Sequence, residues 1–396
     1  MQLMNKEDSL IDNLNGDKKY KSLTQEISVD RKLKLPSFSP ITIDYAPGHY
    51  IKEFDGWRGV GILFVILAHS ATQYFIGAWI FMEMFFVMSG FLITGILLDT
   101  KPKPGYYKNF MARRIVRVFP LYYLSLILFF FVLPESWLDF SYYNERQAWY
   151  WLYSTNWLMS VEGRSPTQTM DHFWSLAIEE QFYITWPLIV WIFSRKNLIR
   201  VCLTLFVASY IFRNTGLNMG FVIPFPYVAT LGRMEPIVLG ALIALLVRSN
   251  KSILEKITPY VLLVFGLLSI VSFIYAGSFH MDHPINYRFT YTLVDIFFAG
   301  MITLTLSSNL PMFLRRIFRN PFIIKVGVMS YGLYIFHNII FSLVEHNYKS
   351  SFIQFTGSEL MGHAGVVLCA LLITIPVCYT IHKYVEVPLW KFKRYF

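Results

Sequence analysis

The stretch EFDGWRGVGILFVILAHS, from Glu53 to Ser70, is apolar over almost a full helix, yet it carries charged residues near its start and a histidine near its end. Asp55 and Arg58 lie in the first turns, and His69 is the last residue but one. Ionisable side chains inside a segment suited to lipid are costly and by default mark a functional interior. We therefore examine which other residues of the chain could act together with this arginine and this histidine.

The composition is that of a membrane protein. Of the 396 residues, 55% are hydrophobic, 18% are aromatic and only 15% are charged, whereas soluble domains contain about 25% charged residues. The formal net charge of +10 could suggest nucleic acid, but the basic residues fall in the connections between apolar segments, so we expect no nucleic-acid partner. Cys202, Cys369 and Cys378 lie inside apolar runs, so we expect no disulfide framework and no metal role.

Ten apolar segments are candidates to cross a membrane. A bilayer core of about 30 Å needs about 20 helical residues, and the segments that come near this length are roughly 57–75, 78–98, 118–134, 172–193, 197–213, 234–248, 257–277, 287–307, 326–345 and 364–385. The sequence therefore predicts an all-α polytopic membrane protein of about ten spans. It predicts a flexible cytoplasmic N-terminal extension over 1–48, a transmembrane domain over 49–390 and a short basic cytoplasmic tail over 391–396.

Basic residues alternate between the connections. Every even-numbered connection is rich in Lys and Arg, and the odd-numbered ones are poor in them. Because cytoplasmic loops carry the excess of Lys and Arg, both termini are predicted to face the cytoplasm. The long third connection, about 135–171, is then extracytoplasmic; it is rich in Trp and Tyr, which gather at membrane interfaces and also stack on sugar rings.

Arg58 and His69 share one face of the first span. They are eleven residues apart, which at about 100° per residue is three turns plus about 20°, with a rise of about 16 Å. Arg58 is therefore expected near the cytoplasmic surface, and His69 past the middle of the membrane.

Four further spans carry ionisable or hydroxyl side chains at depths that overlap this one. On the fourth span His172, Glu179 and Tyr183 form one stripe that Glu180 borders. Other spans contribute Glu83, Asp295 and His337. We expect these groups to face one hydrated cavity.

Each of these residues also has a structural interpretation. An intramembrane histidine such as His69 or His337 often joins two helices by a hydrogen bond. Glu179 and Glu180 could pair with an arginine or a tyrosine, and Asp295 with a structural partner. The basic run Arg113 to Arg117 could serve only as a topology signal.

The group as a whole favours acyl transfer. A neutral imidazole can accept a proton near neutral pH, and a nearby carboxylate would orient it. Arginines at the cytoplasmic mouth suit bidentate contacts with phosphate. A donor with a phosphate handle outside and a reactive end inside fits this arrangement, and acyl-CoA has that shape.

Five stretches in order resemble the acyltransferase-3 family of integral membrane O-acyltransferases: FDGWRGVGILFVILAH, FFVMSGFLITGIL, FMARRIVRVFPLYYL, HFWSLAIEEQFYITWPL and SYGLYIFH. The resemblance covers about residues 50–390. No hydrolase-like domain follows the last span, so a stand-alone transferase is expected.

The resemblance implies roles for particular residues. The family's essential arginine and histidine of the first span match Arg58 and His69, and its donor-binding Arg-x-x-Arg element matches Arg114 and Arg117. We expect His69 to be the general base, supported by one of Glu179 and Glu180. The three arginines would hold the phosphates of acetyl-CoA or another acyl-CoA, with no metal.

The expected function is transfer of an acyl group, most simply acetyl, to a sugar hydroxyl. The acceptor would be a glycan or glycolipid of the bacterial surface, such as lipopolysaccharide O-antigen or capsule, and the enzyme would lie in the bacterial inner membrane. One alternative is a proton-coupled exporter of a glycan or lipid, because transporters also relay protons through buried His and Glu. Another is a structural partner in glycan assembly.

Overall fold

The computed structural model describes residues 38–71, 73–220, 224–280 and 283–396. Pro40–Phe396 forms one compact unit, to which the following description refers. Its described residues are almost entirely helical and contain no β-strand, which confirms the predicted all-α class. Of the predicted N-terminal extension, residues 1–37 lie outside the described part of the chain.

Seventeen α-helices follow one another in the described residues. In chain order, they are α1 Lys52–Ser70, α2 Phe81–Thr100, α3 Tyr106–Ile127, α4 Ser141–Asn144, α5 Gln147–Trp151, α6 Thr155–Glu162, α7 Phe173–Ile192, α8 Arg195–Asn218, α9 Phe225–Val228, α10 Met234–Ser249, α11 Lys251–Ala276, α12 Tyr291–Thr305, α13 Met312–Phe318, α14 Pro321–Val328, α15 Ser330–Thr356, α16 Glu359–Ile381 and α17 Val387–Trp390. Short 3-10 and π turns extend several of them.

A helix occupies each of the ten segments predicted as spans, but their lengths and compositions differ. Within the described residues, five helices are long and apolar enough to cross a membrane, and α14 with α15 makes a sixth if this pair, bent by 73°, is one span. The remaining segments are shorter, such as α12 with 15 residues, or more polar, such as α1 with its charged first turns. Helix length and composition therefore support five or six of the ten predicted spans.

Glycine allows two of these helices to touch backbone to backbone. A Cβ atom on Gly90 of α2 would lie 1.9 Å from the carbonyl oxygen of Ile237 in α10, and one on Gly240 of α10 would lie 1.9 Å from that of Val87. No side chain can occupy that space, so only glycine permits this approach. This close approach fixes α2 against α10.

The segment before α1 is held in place by backbone hydrogen bonds. Ile41 N–H donates to the carbonyl of Glu255 at 3.0 Å, and Ile43 forms an isolated bridge with Ser307. Ile41 and Ile43 are both buried. The path by which the chain enters α1 is therefore fixed. It places Tyr50 and Asp55 in the wall of a large cavity, which is described below.

Candidate active site

A cavity of about 620 Å³ lies between α1, α2, α3, α7 and α15. Its wall brings together six of the residues predicted for the site: Arg58, Arg114, Arg117, Glu179, Glu180 and Tyr183. These side chains come from three separate helices, α1, α3 and α7. We call this space the arginine cavity.

Arg58 is oriented by an acidic neighbour one turn earlier on α1. Its Nη1 donates to Asp55 Oδ1 at 2.8 Å. Asp55 also accepts a hydrogen bond from the hydroxyl of Tyr50, which lies just before the helix. Burial raises the pKa of Tyr50 to about 12, and the hydrogen bond to Asp55 adds to this effect, so the phenol stays protonated as a donor. Asp55 thus accepts hydrogen bonds from two donors, Tyr50 and Arg58, and holds both at the cavity wall.

Arg114 and Arg117 lie one turn apart on α3, which begins at Tyr106 and therefore carries both arginines within the helix. The guanidinium of Arg114 is 5.2 Å from the centre of the Tyr183 ring. Arg58, Arg114 and Arg117 are close enough to repel one another electrostatically. Like charges held together in a low-dielectric space favour an anionic ligand.

Two carboxylates of α7 face the same cavity. Glu179 accepts hydrogen bonds from Ser89 Oγ and from the Tyr183 hydroxyl, both at 2.9 Å. Both carboxylate oxygens of Glu180 are buried and have no hydrogen-bond partner among the described residues. Arg114 attracts both carboxylates. The cavity therefore contains an oriented carboxylate and one that is free to meet a ligand or water.

His69 lies outside the arginine cavity, in a cluster of three histidines. Its ring centre is 5.0 Å from that of His337 and 6.0 Å from that of His172, which are themselves 5.1 Å apart. The Trp79 ring, at 5.4 Å, packs against His69 as well. His69 and His337 also border a second, much smaller crevice of about 10 Å³ between α1, α15 and α16.

Backbone carbonyls set the orientation of all three imidazoles. His69 Nδ1 lies 2.8 Å from the carbonyl oxygen of Val65, and His337 Nδ1 lies 2.7 Å from that of Tyr334. A carbonyl only accepts, so each Nδ1 carries the proton and Nε2 of the neutral ring keeps its lone pair. His172 is reversed, because its Nε2 faces the carbonyl of Ile335 at 3.2 Å. In this tautomer, His69 Nε2 can take up a proton.

The carboxylate support that we expect for His69 is not at the histidine. Glu179 bonds Ser89 and Tyr183 on the cavity side, whereas the Nδ1 of His69 is held by Val65 in its own helix. Helical spacing predicts similar depths for these groups, but similar depth does not require contact.

Glu83 and Asp295 occupy a different buried region, away from the arginine cavity. The carboxylate of Glu83 forms an ion pair with Arg233, and Asp295 interacts electrostatically with both. A second pair, Arg213 with Glu235 at 2.6 Å, adjoins it. All four paired side chains have 0% exposure. We call these five residues the closed ionic network. The residues predicted to face one hydrated cavity therefore lie in three regions, which are the arginine cavity, the histidine cluster and this network.

Several residues of these regions are not among those predicted from the sequence. Arg213, Arg233 and Glu235 could have been found by the rule applied to Asp295, since each is a charge in an apolar stretch. Ser175, which lines the arginine cavity beside Tyr334, carries no comparable signal. Buried serines are common in such helices, and only its tertiary position distinguishes this one.

Comparisons with known proteins identify the family of this chain. The sequence profile of the family described as "Acyltransferase domain" matches residues 51–383. The peptidoglycan O-acetyltransferase OatA of Listeria monocytogenes is 28% identical over 314 residues, which are 74% of this chain and 50% of that protein. The O-acetyltransferase OatA of Staphylococcus aureus is 25% identical over 387 residues, which are 88% of this chain and 58% of that protein.

The chain spans about half the length of the curated relatives that it matches. No solved structure matches it. The family profile nevertheless covers most of the chain, including α1 to α16. This protein therefore belongs to the "Acyltransferase domain" family, which confirms the predicted family and its class of enzyme, an acyltransferase.

Proposed function

We propose that this protein is a membrane-bound O-acetyltransferase that moves an acetyl group from acetyl-CoA to a sugar hydroxyl of a cell-surface glycan. It would lie in the bacterial inner membrane with ten spans and both termini in the cytoplasm. The observation that carries the proposal is the position of Arg58 and His69 at opposite ends of α1, one in the arginine cavity and the other in the histidine cluster.

The arginine cavity suits the donor. Three guanidinium groups at one site match the phosphates of CoA, since guanidinium binds phosphate oxygens in a bidentate manner. Arg248 and Lys393, which line the cavity as well, belong to segments that the Lys and Arg distribution places in the cytoplasm. This agrees with a donor that enters from the cytoplasm, where acyl-CoA would be held by its phosphates with the thioester directed inward.

The histidine cluster suits the chemistry. The Nε2 of His69 would accept the proton of the acceptor hydroxyl while its oxygen attacks the thioester carbonyl carbon. The new C–O ester bond forms, the C–S bond breaks, and the electron pair leaves on the sulfur of CoA. The imidazolium then returns its proton to the thiolate, so the products are the acetyl ester and free CoA. The Val65 carbonyl, which holds Nδ1–H, keeps His69 in the tautomer that this step requires.

A glycan acceptor is supported by the relatives. The Listeria relative is named a peptidoglycan O-acetyltransferase, and peptidoglycan is a glycan outside the cytoplasmic membrane. Lipopolysaccharide O-antigen, capsule and exopolysaccharide offer hydroxyls of the same chemistry. Trp149 and Trp157, which are partly exposed in the segment 135–171, could stack on sugar rings on that side.

The test uses membranes that contain this protein and acetyl-CoA labelled in the acetyl group. We expect base-labile label in the glycan fraction with the wild type, and a loss of about 10²–10⁴-fold with His69→Ala, which is the usual contribution of a general base. His346→Ala is the matched control, because His346 lies on α15 like His337 but is exposed.

The outcomes separate the candidate functions. Equal label from His69→Ala would keep the transferase and remove His69 as the base. Transport of a labelled glycan without any turnover of acetyl-CoA would overturn the proposal in favour of the exporter.

A further inference from the structure

Two hydroxyl groups separate the arginine cavity from the histidine cluster. Ser175 of α7 and Tyr334 of α15 both line the cavity, and both side chains are buried. Their oxygens are 2.6 Å apart, which is a short hydrogen bond between two helices. The proposed function as stated above gives neither residue a role.

Both hydroxyls also reach one backbone carbonyl. The oxygen of His172 is 2.8 Å from the Tyr334 hydroxyl and 3.2 Å from Ser175 Oγ. The three oxygens share two protons, and the carbonyl can only accept. One hydroxyl can therefore remain anchored to the carbonyl while the other turns its proton toward a ligand in the cavity.

The pair lies between the arginine cavity and the histidine cluster. The Tyr334 ring centre is 5.3 Å from that of His172 and 5.8 Å from that of His337, and both histidine rings adjoin His69. Ser175 and Tyr334 therefore offer hydroxyl donors on the side of the cavity that is next to the histidines.

We propose that Tyr334 and Ser175 form a hydroxyl pair, one member of which donates a hydrogen bond to the carbonyl oxygen of the acetyl thioester during transfer while the other stays anchored to the His172 carbonyl. This rests on the proposed function and deepens it. When the acceptor oxygen attacks the carbonyl carbon, the C=O electron pair moves onto the oxygen; when the C–S bond breaks, the pair returns. The hydroxyl protons stay on Tyr334 and Ser175 throughout, so no further reactant is needed. Donors already positioned for the developing charge lower the barrier because they need no reorganisation.

A purely structural hydrogen bond between α7 and α15 would behave differently. Its loss would lower thermal stability and affect binding and turnover together. Loss of a donor used in the transition state would lower kcat and leave the KM for acetyl-CoA nearly unchanged.

The experiment measures kcat and KM for acetyl-CoA with purified Tyr334→Phe, Ser175→Ala and the double variant, and the affinity for unacylated CoA. We expect kcat to fall about 10²–10³-fold for Tyr334→Phe, as on removal of one oxyanion donor. We expect the KM and the CoA affinity to change less than about threefold, and the double variant to fall by less than the product of the single effects, because the pair acts as a unit.

Tyr122→Phe is the matched control. Its buried hydroxyl donates to the carbonyl of Tyr150 at 2.7 Å, a bond of the same kind outside the cavity wall. A kcat of Tyr334→Phe within threefold of the wild type would overturn the inference, as would a loss of activity matched by Tyr122→Phe with an equal fall in thermal stability. If Tyr334→Phe does not fold, a Ser175→Ala variant with unchanged kcat overturns it. A wild type that binds CoA but transfers no acetyl group would instead contradict the proposed function.

Discussion

The arginine cavity and the closed ionic network both contain charged groups inside the same helical unit, but they surround these groups differently. In the network, Glu83 lies against Arg233 and Glu235 against Arg213, each pair at 0% exposure. In the cavity, Arg58, Arg114 and Arg117 and the carboxylates of α7 surround a space of about 620 Å³. The network is closed by its own partners, whereas the three arginines, which repel one another, leave a space that an anionic ligand or water can enter.

This difference indicates which buried charges are functional. Depth in the membrane alone does not identify them, because the sequence places Asp295 of the network and Glu179 of the cavity at similar depths inside predicted spans. The open space decides: the network residues do not line the arginine cavity, whereas Glu179 and Glu180 do and are therefore accessible to a ligand. Substitutions in the network should therefore affect mainly the stability of the fold, and substitutions in the cavity mainly the binding of the donor.

Breaking the closed ionic network should destabilise the fold most. Arg233→Met leaves the buried carboxylate of Glu83 without its partner, and removal of one member of a buried ion pair costs about 3–5 kcal/mol. We expect a large fall in the Tm of the detergent-purified protein, followed by differential scanning fluorimetry. Replacing both partners, Arg233→Met with Glu83→Leu, should recover much of the loss. Arg113→Met, at an exposed position, is the control. An unchanged Tm for Arg233→Met would show that this ion pair does not have a structural role.

Removing charge from the arginine cavity should affect binding and spare stability. For Arg114→Gln with Arg117→Gln, we expect the KM for acetyl-CoA to rise about 10²-fold, since charge-assisted hydrogen bonds are each worth about 1.5–3 kcal/mol. The Tm should change little, because the substitutions remove both the repulsion between the arginines and the attraction of Arg114 to Glu179 and Glu180. Arg113→Gln, adjacent on α3 but exposed, should leave the KM unchanged. A fall in Tm with no change in KM would make these arginines structural.

A smaller, pH-dependent effect is expected at Asp171, in the loop before α7. Burial raises the pKa of this carboxyl to about 6, although hydrogen bonds from Ser165 act in the opposite direction. The folded state therefore binds the proton more tightly than the unfolded state. The stabilisation is complete below the unfolded pKa and is lost as the pH rises through about 6.

The measurement is the Tm at pH 5 and pH 7.5. The Tm of the wild type should be a few degrees higher at pH 5 than at pH 7.5. Asp171→Asn, which cannot ionise at this position, should lack this part of the difference. The same pH dependence in both proteins would remove Asp171 as its cause.

Helical periodicity predicts much of this arrangement and misses what depends on neighbours. It correctly predicts a helix in each of the ten apolar segments. It predicts face and depth along one helix, but not which helices pack together. His69 therefore adjoins His172 and His337 instead of a carboxylate.

The ion pairs of the closed ionic network are not predicted for the same reason. Arg233, which precedes the short helix α10, reaches Glu83 only through tertiary packing, and Arg213 of α8 reaches Glu235 in the same way. The hydroxyl pair of Ser175 and Tyr334 is formed by two helices far apart in sequence. No spacing rule within one segment can predict such contacts.

A cryo-electron microscopy map of the purified protein with saturating CoA, at a resolution that shows the phosphates, would show directly whether the arginine cavity binds the donor. We expect phosphate density beside Arg58, Arg114 and Arg117, with the pantetheine arm extending past Glu179 toward Tyr334 and the histidine cluster. CoA density at another surface, with the arginine cavity filled only by water, would contradict it.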